Sequence, residues 1–477
     1  MLKSAFILVF LSITVSICAQ QRQVLINPTY LGGEKRNYYG NIAPERLDVL
    51  WKCHLGEAST RVSGKERIWK GSGWTGQTLL YREGNQLWLI HGGLDHHLRK
   101  IDAENGEVAW TYRFPDAIKG TGTLWNYQSG GEDKLMIIQG SRRDTRYSTW
   151  YTQNFPLRAL DAENGTELWR YPVLRGSSYS VDVDASALIC DEHAYIGLES
   201  GIGVVFDPHP DRTEVCGNFR VPATLQQFRL YHERDRERQG QNLVTESSPA
   251  LLGDRIYFTA GSGHVFGYHL KKRSIDWDFF VGTDMDGSPV VTADSCLLIS
   301  VEKEYNSGYG GVFKLDPAKA PDSACVRWFF PTGNDNSAGA LWAGGVIGSP
   351  AVNDATRPPW MPPLAGFIGI DGYFYLVRQD LCDTLSVLGP NEEHRYLKPK
   401  LAAKRWAGQS ISTPLFVGDK IIVAGYSGVL LFRYNPDHSL SLLERRYIGD
   451  VESTPFVYNK RIYIGSKDGY LYCLGEK

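Results

Sequence analysis

Asp102-Ala-Glu-Asn-Gly106-Glu-Val-Ala-Trp110 returns as Asp161-Ala-Glu-Asn-Gly165-Thr-Glu-Leu-Trp169. An acidic turn that ends on glycine and feeds a strand carrying tryptophan is a structural unit, and its repetition sets the period to look for. A second phrase opens strands: Glu246-Ser-Ser-Pro249, Asp286-Gly-Ser-Pro289, Ile347-Gly-Ser-Pro350, Ile411-Ser-Thr-Pro414 and Glu452-Ser-Thr-Pro455. A third runs turn, alternating strand, glycine turn, as in Gly253-Asp-Arg-Ile-Tyr-Phe-Thr-Ala-Gly261 and Asn459-Lys-Arg-Ile-Tyr-Ile-Gly465. Read in order, each unit is four antiparallel strands of period-two alternation, joined by residues that tolerate positive φ.

The middle hydroxyl residue of the Ser-x-Pro phrase recurs after 40 residues from Ser248 to Ser288 and after 41 from Thr413 to Thr454. A four-stranded repeat of about 40–50 residues predicts a propeller. Eight units are countable, with inner strands opening near Thr75, Thr121, Asp184, Glu246, Asp286, Ile347, Ile411 and Glu452. The last unit reaches Lys477 with three strands. Its fourth is supplied by the Trp-strand phrase Leu47-Asp-Val-Leu-Trp51-Lys-Cys-His-Leu-Gly56. The expectation is all-β: an eight-bladed propeller of four-stranded antiparallel blades, closed by an N-terminal strand that completes the last blade and removes an aggregation-prone edge. In that blade Cys53 lies beside Cys473, a candidate disulfide.

Composition agrees. Fifty Gly, 26 Tyr, 19 Phe and 13 Trp against 4 Met suit short strands and tight turns, and a net charge of −2 argues against nucleic acid. Lys3, the apolar run from Ala5 to Val15 and the small residues to Ala19 read as a signal peptide. The expected organisation is signal peptide 1–19, N-terminal extension 20–46, and one propeller domain over 47–477. The chain is thus expected to be exported to the periplasm, cell surface or medium as a monomer without a transmembrane segment. A lipid anchor on Cys18 is an alternative that Ile17 disfavours.

The phrase Ala159-x-Asp161-x-x-x-Gly165-x-x-x-Trp169 resembles the tryptophan-docking motif of PQQ-like (pyrroloquinoline-quinone-like) β-propellers, in which the Trp of one blade docks on its neighbour. Trp51, Trp110, Trp169, Trp277 and Trp328 fit that position, with Phe219 and Tyr447 as substitutes and no equivalent in the sixth blade. The resemblance covers roughly 47–477 and implies fold more than function. Its quinoprotein dehydrogenases carry an adjacent cysteine pair and a calcium. No two cysteines here are adjacent, so no quinone, metal or other cofactor is expected. The other branch resembles the propeller lipoprotein of the outer-membrane β-barrel assembly machinery, a scaffold without chemistry.

The long insertions Glu57–Gly73, Arg142–Pro156, Ala223–Val244, Lys303–Gly311 and Gly333–Gly345 all map to one face, with Asn353–Leu364 the exception. Loops on a rigid scaffold carry function. The candidate ligand-binding residues are therefore Trp69, Trp74, Arg142, Arg143, Arg146, Tyr147, Trp150, Tyr151, Tyr305, Tyr309 and Trp342: aromatic faces for sugars or peptides, Arg forks for carboxylates. The expected function is non-catalytic binding of an envelope protein or acidic glycan. Two enzymatic alternatives are a polysaccharide lyase or other glycan-processing enzyme and a PQQ-dependent dehydrogenase, the latter the weakest. For a lyase, His96, Arg143 and Tyr147 have suitable chemistry, with His91 and His264 nearby. Asp184, Glu246, Asp286 and Glu452 open inner strands that line the channel, whereas Ile347 and Ile411 interrupt the ring. Solvated or turn-capping carboxylates are the expectation there rather than a metal site.

Overall fold

The computed structural model describes residues 23–143, 154–333 and 342–477, and the expected signal peptide 1–19 with Cys18, Arg146, Tyr147, Trp150 and Tyr151 lie outside the described residues. Eight four-stranded antiparallel blades follow the sequence order: 79–113, 123–173, 188–229, 250–280, 290–331, 351–406, 415–446, and 456–475 completed by Asp48–His54. Among the described residues no helix is long and apolar enough to cross a membrane. Blade 8 closes as expected, with Asp48–His54 pairing antiparallel to Tyr470–Gly475. The disulfide does not form. Trp51 faces Cys473 while Cys53 faces Leu471, so the two thiols are offset by two residues along the ladder, and both are free and buried.

The repeated phrases are the inter-blade cement. Each docking Trp donates its indole N–H to a carbonyl of the following blade: Trp51 to Ala103 at 3.2 Å, Trp110 to Ala162 at 3.3 Å, Trp169 to Pro208 at 2.8 Å, Trp277 to Lys319 at 3.1 Å and Trp328 to Gln379 at 3.2 Å. The Asp-x-x-x-Gly turn then explains itself. A Cβ on Gly106 would lie 2.7 Å from the Trp51 ring, and one on Gly165 would lie 2.9 Å from that of Trp110. Around the axis, hydroxyls of the Ser-x-Pro phrase accept from the amide of the preceding blade. Ser248 serves Ser186 (2.8 Å), Ser288 serves Ser248 (2.8 Å), Ser349 serves Ser288 (2.9 Å) and Thr413 serves Ser349 (3.0 Å).

Phe219 and Tyr447 do not dock. Residues 214–221 form a separate hairpin, Glu214–Cys216 with Phe219–Val221, which pushes the outer strand of blade 3 to Thr224–Arg229. There Gln226 sits just before the bulge, where other blades carry Trp, and its amide donates to Arg273 O at 2.8 Å. In blade 7 the same place belongs to Glu444, which accepts from the Leu47 amide at 2.8 Å, while Tyr447 is exposed. Ala403 takes it in blade 6, where no equivalent was expected.

The stretch before the propeller is built into it. Gln23–Asn27 adds a fifth strand to blade 1 on the inner side of Leu79–Glu83. The chain then crosses the bore, giving backbone carbonyls to inner-strand amides that a propeller otherwise leaves facing its axis. Pro28 O accepts from Leu124, Glu34 O from Leu251, Lys35 O from Val291 and Tyr39 O from Val457, at 2.7–3.1 Å. The Tyr39 hydroxyl accepts from Val352 at 3.1 Å, and the Tyr30 hydroxyl bonds Thr413 at 2.9 Å. Arg36, fully buried, donates to Pro249 O, Tyr30 O and the Thr29 hydroxyl, each at 2.9 Å. One segment thus ties blades 1, 2 and 4–8 together and plugs the bore from the side where the inner strands end.

Candidate functional site

On the side where the inner strands begin, the bore opens into a funnel of about 570 Å³. Strand alternation puts the inter-blade loops and the loops between second and third strands on this side. Trp74, Gln239, Gln241, Asn242, Val244, Tyr305 and Trp342, from or beside four of the five insertions, all contribute to its wall. Part of the Ala223–Val244 insertion is instead strand Thr224–Arg229 and helix Glu233–Gln239. The first turn of that helix is capped by the Asp235 side chain, which accepts from the His232 amide at 2.6 Å.

The wall has two halves. Blades 1, 6 and 7 supply Trp74, Ile347 and Ile411, which form one apolar cluster with Ile370 and Trp342. Blades 4 and 5 and their loops supply Glu246, Asp284, Asp286, Glu302 and Glu304. The position that opens the inner strand is therefore acidic in blades 3 to 5 (Asp184, Glu246, Asp286) and isoleucine in blades 6 and 7 (Ile347, Ile411). Lys119 is the one cationic side chain among the described residues of the wall. Its ammonium contacts Asp184 and lies 3.7 Å from Glu199, both buried behind the lining.

Electrostatics follow from crowding. Two triads, Asp184/Glu199/Glu246 and Asp284/Asp286/Glu302, each hold their carboxylate oxygens within 4.8 Å of one another. Burial raises all six carboxyls. Asp284 is pushed up to about 7 by burial, against the downward pull of its hydrogen bond from Asn242 at 2.7 Å and with Glu304 pushing upward. Lys119 is held well above its ordinary value: burial opposes its charge, but Asp184, Glu199 and Glu246 outweigh that cost. Asp284 Oδ1 and Glu302 Oε1 are buried without a hydrogen-bond partner, in side chains only 5% and 3% exposed.

Of the expected ligand residues, Trp74, Tyr305 and Trp342 line the funnel. Tyr309 is exposed outside the funnel wall. Trp69 and Arg142 are joined elsewhere: the guanidinium lies 5.0 Å from the indole, donates to Asp182 at 2.9 Å and Arg61 O at 3.2 Å, and bonds Thr60. Arg142 thereby clamps the hairpin Glu57–Val62/Lys65–Lys70 onto the propeller rather than reaching for a ligand. The Arg143 amide bonds Asp182 at 2.9 Å. His96 lies in a turn at φ 72° rather than on a strand, buried 3.5 Å from Asp116, and burial lowers it further from protonation. His91 is buried between Ser72 and Thr78, and burial lowers it to about 3. His264 bridges Asp278 at 2.5 Å and Asp235 at 3.4 Å; burial opposes its charge, but those hydrogen bonds win and raise it. None of the three histidines lines the funnel. Glu452 bonds Tyr426 and Lys467 at 3.0 Å and does not line it either. Sequence reasoning missed Glu199, Glu302, Glu304, Tyr179 and Lys119, which lie at strand ends and loops outside the Ser-x-Pro phrase.

The family model described as outer membrane protein assembly factor BamB matches residues 49–210. No curated protein matches in sequence. Among solved structures, BamB from Moraxella catarrhalis is similar at 14% identity and TM-score 0.52, covering 90% of this chain and 98% of that one. Quinohemoprotein alcohol dehydrogenase from Comamonas testosteroni is similar at 12% identity and TM-score 0.56, covering 94% and 81%. A europium-containing methanol dehydrogenase is similar at 12% and 0.53, covering 95% and 98%. A quinone site would have to accept the polycarboxylate pyrroloquinoline quinone. The funnel wall meets it with five acidic side chains and a single ammonium already paired with Asp184, and the sequence has no adjacent cysteines. Such a wall suits a cation. The chain is an eight-bladed propeller of the architecture that BamB and the quinoprotein dehydrogenases share, with a funnel chemically unlike a quinone pocket.

Proposed function

We propose that this protein is an exported, non-catalytic binding propeller of the cell envelope. Its axial funnel and surrounding insertions receive a partner or ligand. The observation that carries the reading is the one-sidedness of the bore: its own chain closes one end, and the other opens among the insertions between apolar and acidic walls. A rigid ring with one elaborated mouth is the geometry of presentation, and concave sites lined by aromatics with a few converging polar groups are where ligands bind. The similarity in fold to BamB supports a protein partner, and the acidic wall turns the choice away from an acidic glycan.

Photo-crosslinking in the native envelope tests this. A benzoyl-phenylalanine at Tyr305, on the funnel wall, is expected to give a discrete adduct. The same group at Val215, exposed on the hairpin at the opposite face, is expected to give none. Adducts from Val215 alone, or equal adducts from both, would overturn the assignment of the face.

A further inference from the structure

Resting on that reading of the funnel as the ligand site, we propose that it recognises a primary ammonium group carried on an apolar stem. The ammonium sits among Asp284, Asp286 and Glu302, and the stem lies against Trp74, Ile347, Ile411 and Trp342.

The geometry is already used once in the same cavity. The Lys119 ammonium is seated against Asp184 and Glu199, in the triad completed by Glu246. The second triad repeats the spacing, its oxygens within 4.8 Å of one another, with no cationic side chain among the described residues against it. An ammonium makes N–H···O⁻ bonds of about 2.8 Å to acceptors up to about 4.6 Å apart, and the 4.8 Å that bounds the triad brings its oxygens within reach of a single nitrogen. Two of its oxygens, Asp284 Oδ1 and Glu302 Oε1, are buried and have no donor. Buried acceptors without donors are costly, and a ligand N–H offsets that cost.

The apolar half of the wall decides what the cation is attached to. A hard divalent ion takes about 6–8 oxygens and has no use for an indole or an isoleucine. An alkylammonium uses both halves, the stem packing against Trp74, Ile347, Ile411 and the half-buried Trp342 while the head meets the carboxylates. The same chemistry has two sources: a free alkyl diamine, or a lysine side chain presented by a partner protein.

Titration calorimetry on the purified protein separates them. The probes are 1,5-diaminopentane, acetyl-Ala-Lys-Ala-amide, their neutral counterparts 1-pentanol and the norleucine peptide, and calcium chloride. Saturable binding of an amine probe, with the neutral counterpart at least about tenfold weaker, is the expected result. Preference for diaminopentane identifies a free ligand, and preference for the peptide identifies a partner's lysine. Asp286→Asn with Glu302→Gln is expected to weaken binding about tenfold or more, while thermal unfolding shows an intact fold. Trp342→Ala, outside the acidic triad, is expected to weaken it by shortening stem contact. Calcium binding without amine binding, equal binding of neutral probes, or unchanged affinity in both variants would each overturn the proposal. A Tyr305 adduct that forms equally in those variants would leave the binding face standing and remove the ammonium from it.

Discussion

Gly165 stands at φ +75°, and the Trp110 ring fills the space where a side chain would begin. Gly130 has a similar φ of +62° and nothing within 4 Å. The pair separates backbone strain from loss of docking. Gly130→Ala is expected to cost about 1 kcal/mol, and Gly165→Ala about 2–4 kcal/mol because the indole must also move, as urea unfolding would measure. Ser288→Ala removes the acceptor for the Ser248 amide and is expected to cost about 1–2 kcal/mol by the same measurement. Both roles were legible, because phrases that recur in five blades betray contacts repeated around a ring. Gln226 and Glu444 were not. They do the work of tryptophan through hydrogen bonds that any polar side chain of suitable reach can make, so nothing local marks them.

The plug segment from Gln23 to Tyr39 shows where pattern reading stops. It carries no repeat phrase, and several of its partners lie hundreds of residues away, at Pro249, Val291, Thr413 and Val457. Arg36 concentrates the dependence: fully buried, it is drawn down to about 9 by burial and donates to three acceptors, none of them a carboxylate. Arg36→Met keeps much of the volume and removes the donors, and is expected to cost about 2–4 kcal/mol with a matching drop in the urea midpoint. The mixed-sign run His232-Glu-Arg-Asp-Arg-Glu-Arg238 reads from sequence as a solvated loop or short helix, and it forms the helix Glu233–Gln239. Its anchoring comes from His264, which Asp235 and Asp278 hold from two sides.

Taken around its full circle, the ring is electrically lopsided, and that has a consequence for pH. A carboxyl raised on folding keeps its proton in the folded chain after the unfolded chain has released it. Between the ordinary Asp value of about 4 and the Asp284 value of about 7, stability therefore falls as pH rises. Glu246, Asp286 and Glu302 are displaced in the same direction and deepen the trend. Asp276, lowered to about 2 by its Arg255 bond, acts oppositely and only in stronger acid. The expected outcome is a melting temperature that declines from about pH 5 to about pH 8 and a flatter profile for Asp284→Asn. This lopsidedness was half visible in the sequence. Glu246 and Asp286 against Ile347 and Ile411 occupy one phrase position, but the funnel also needs Glu302 and Glu304 from a loop that no phrase announces.

Gln23 enters beside Glu83, at the end of an inner strand, and so on the plugged side of the disc. Whatever is fused ahead of it, whether affinity tag, surface linker or sensor chip, will grip the molecule by its sealed underside. Immobilised that way, every copy presents its mouth outward to the solution, an orientation that chemical coupling through scattered lysines would randomise.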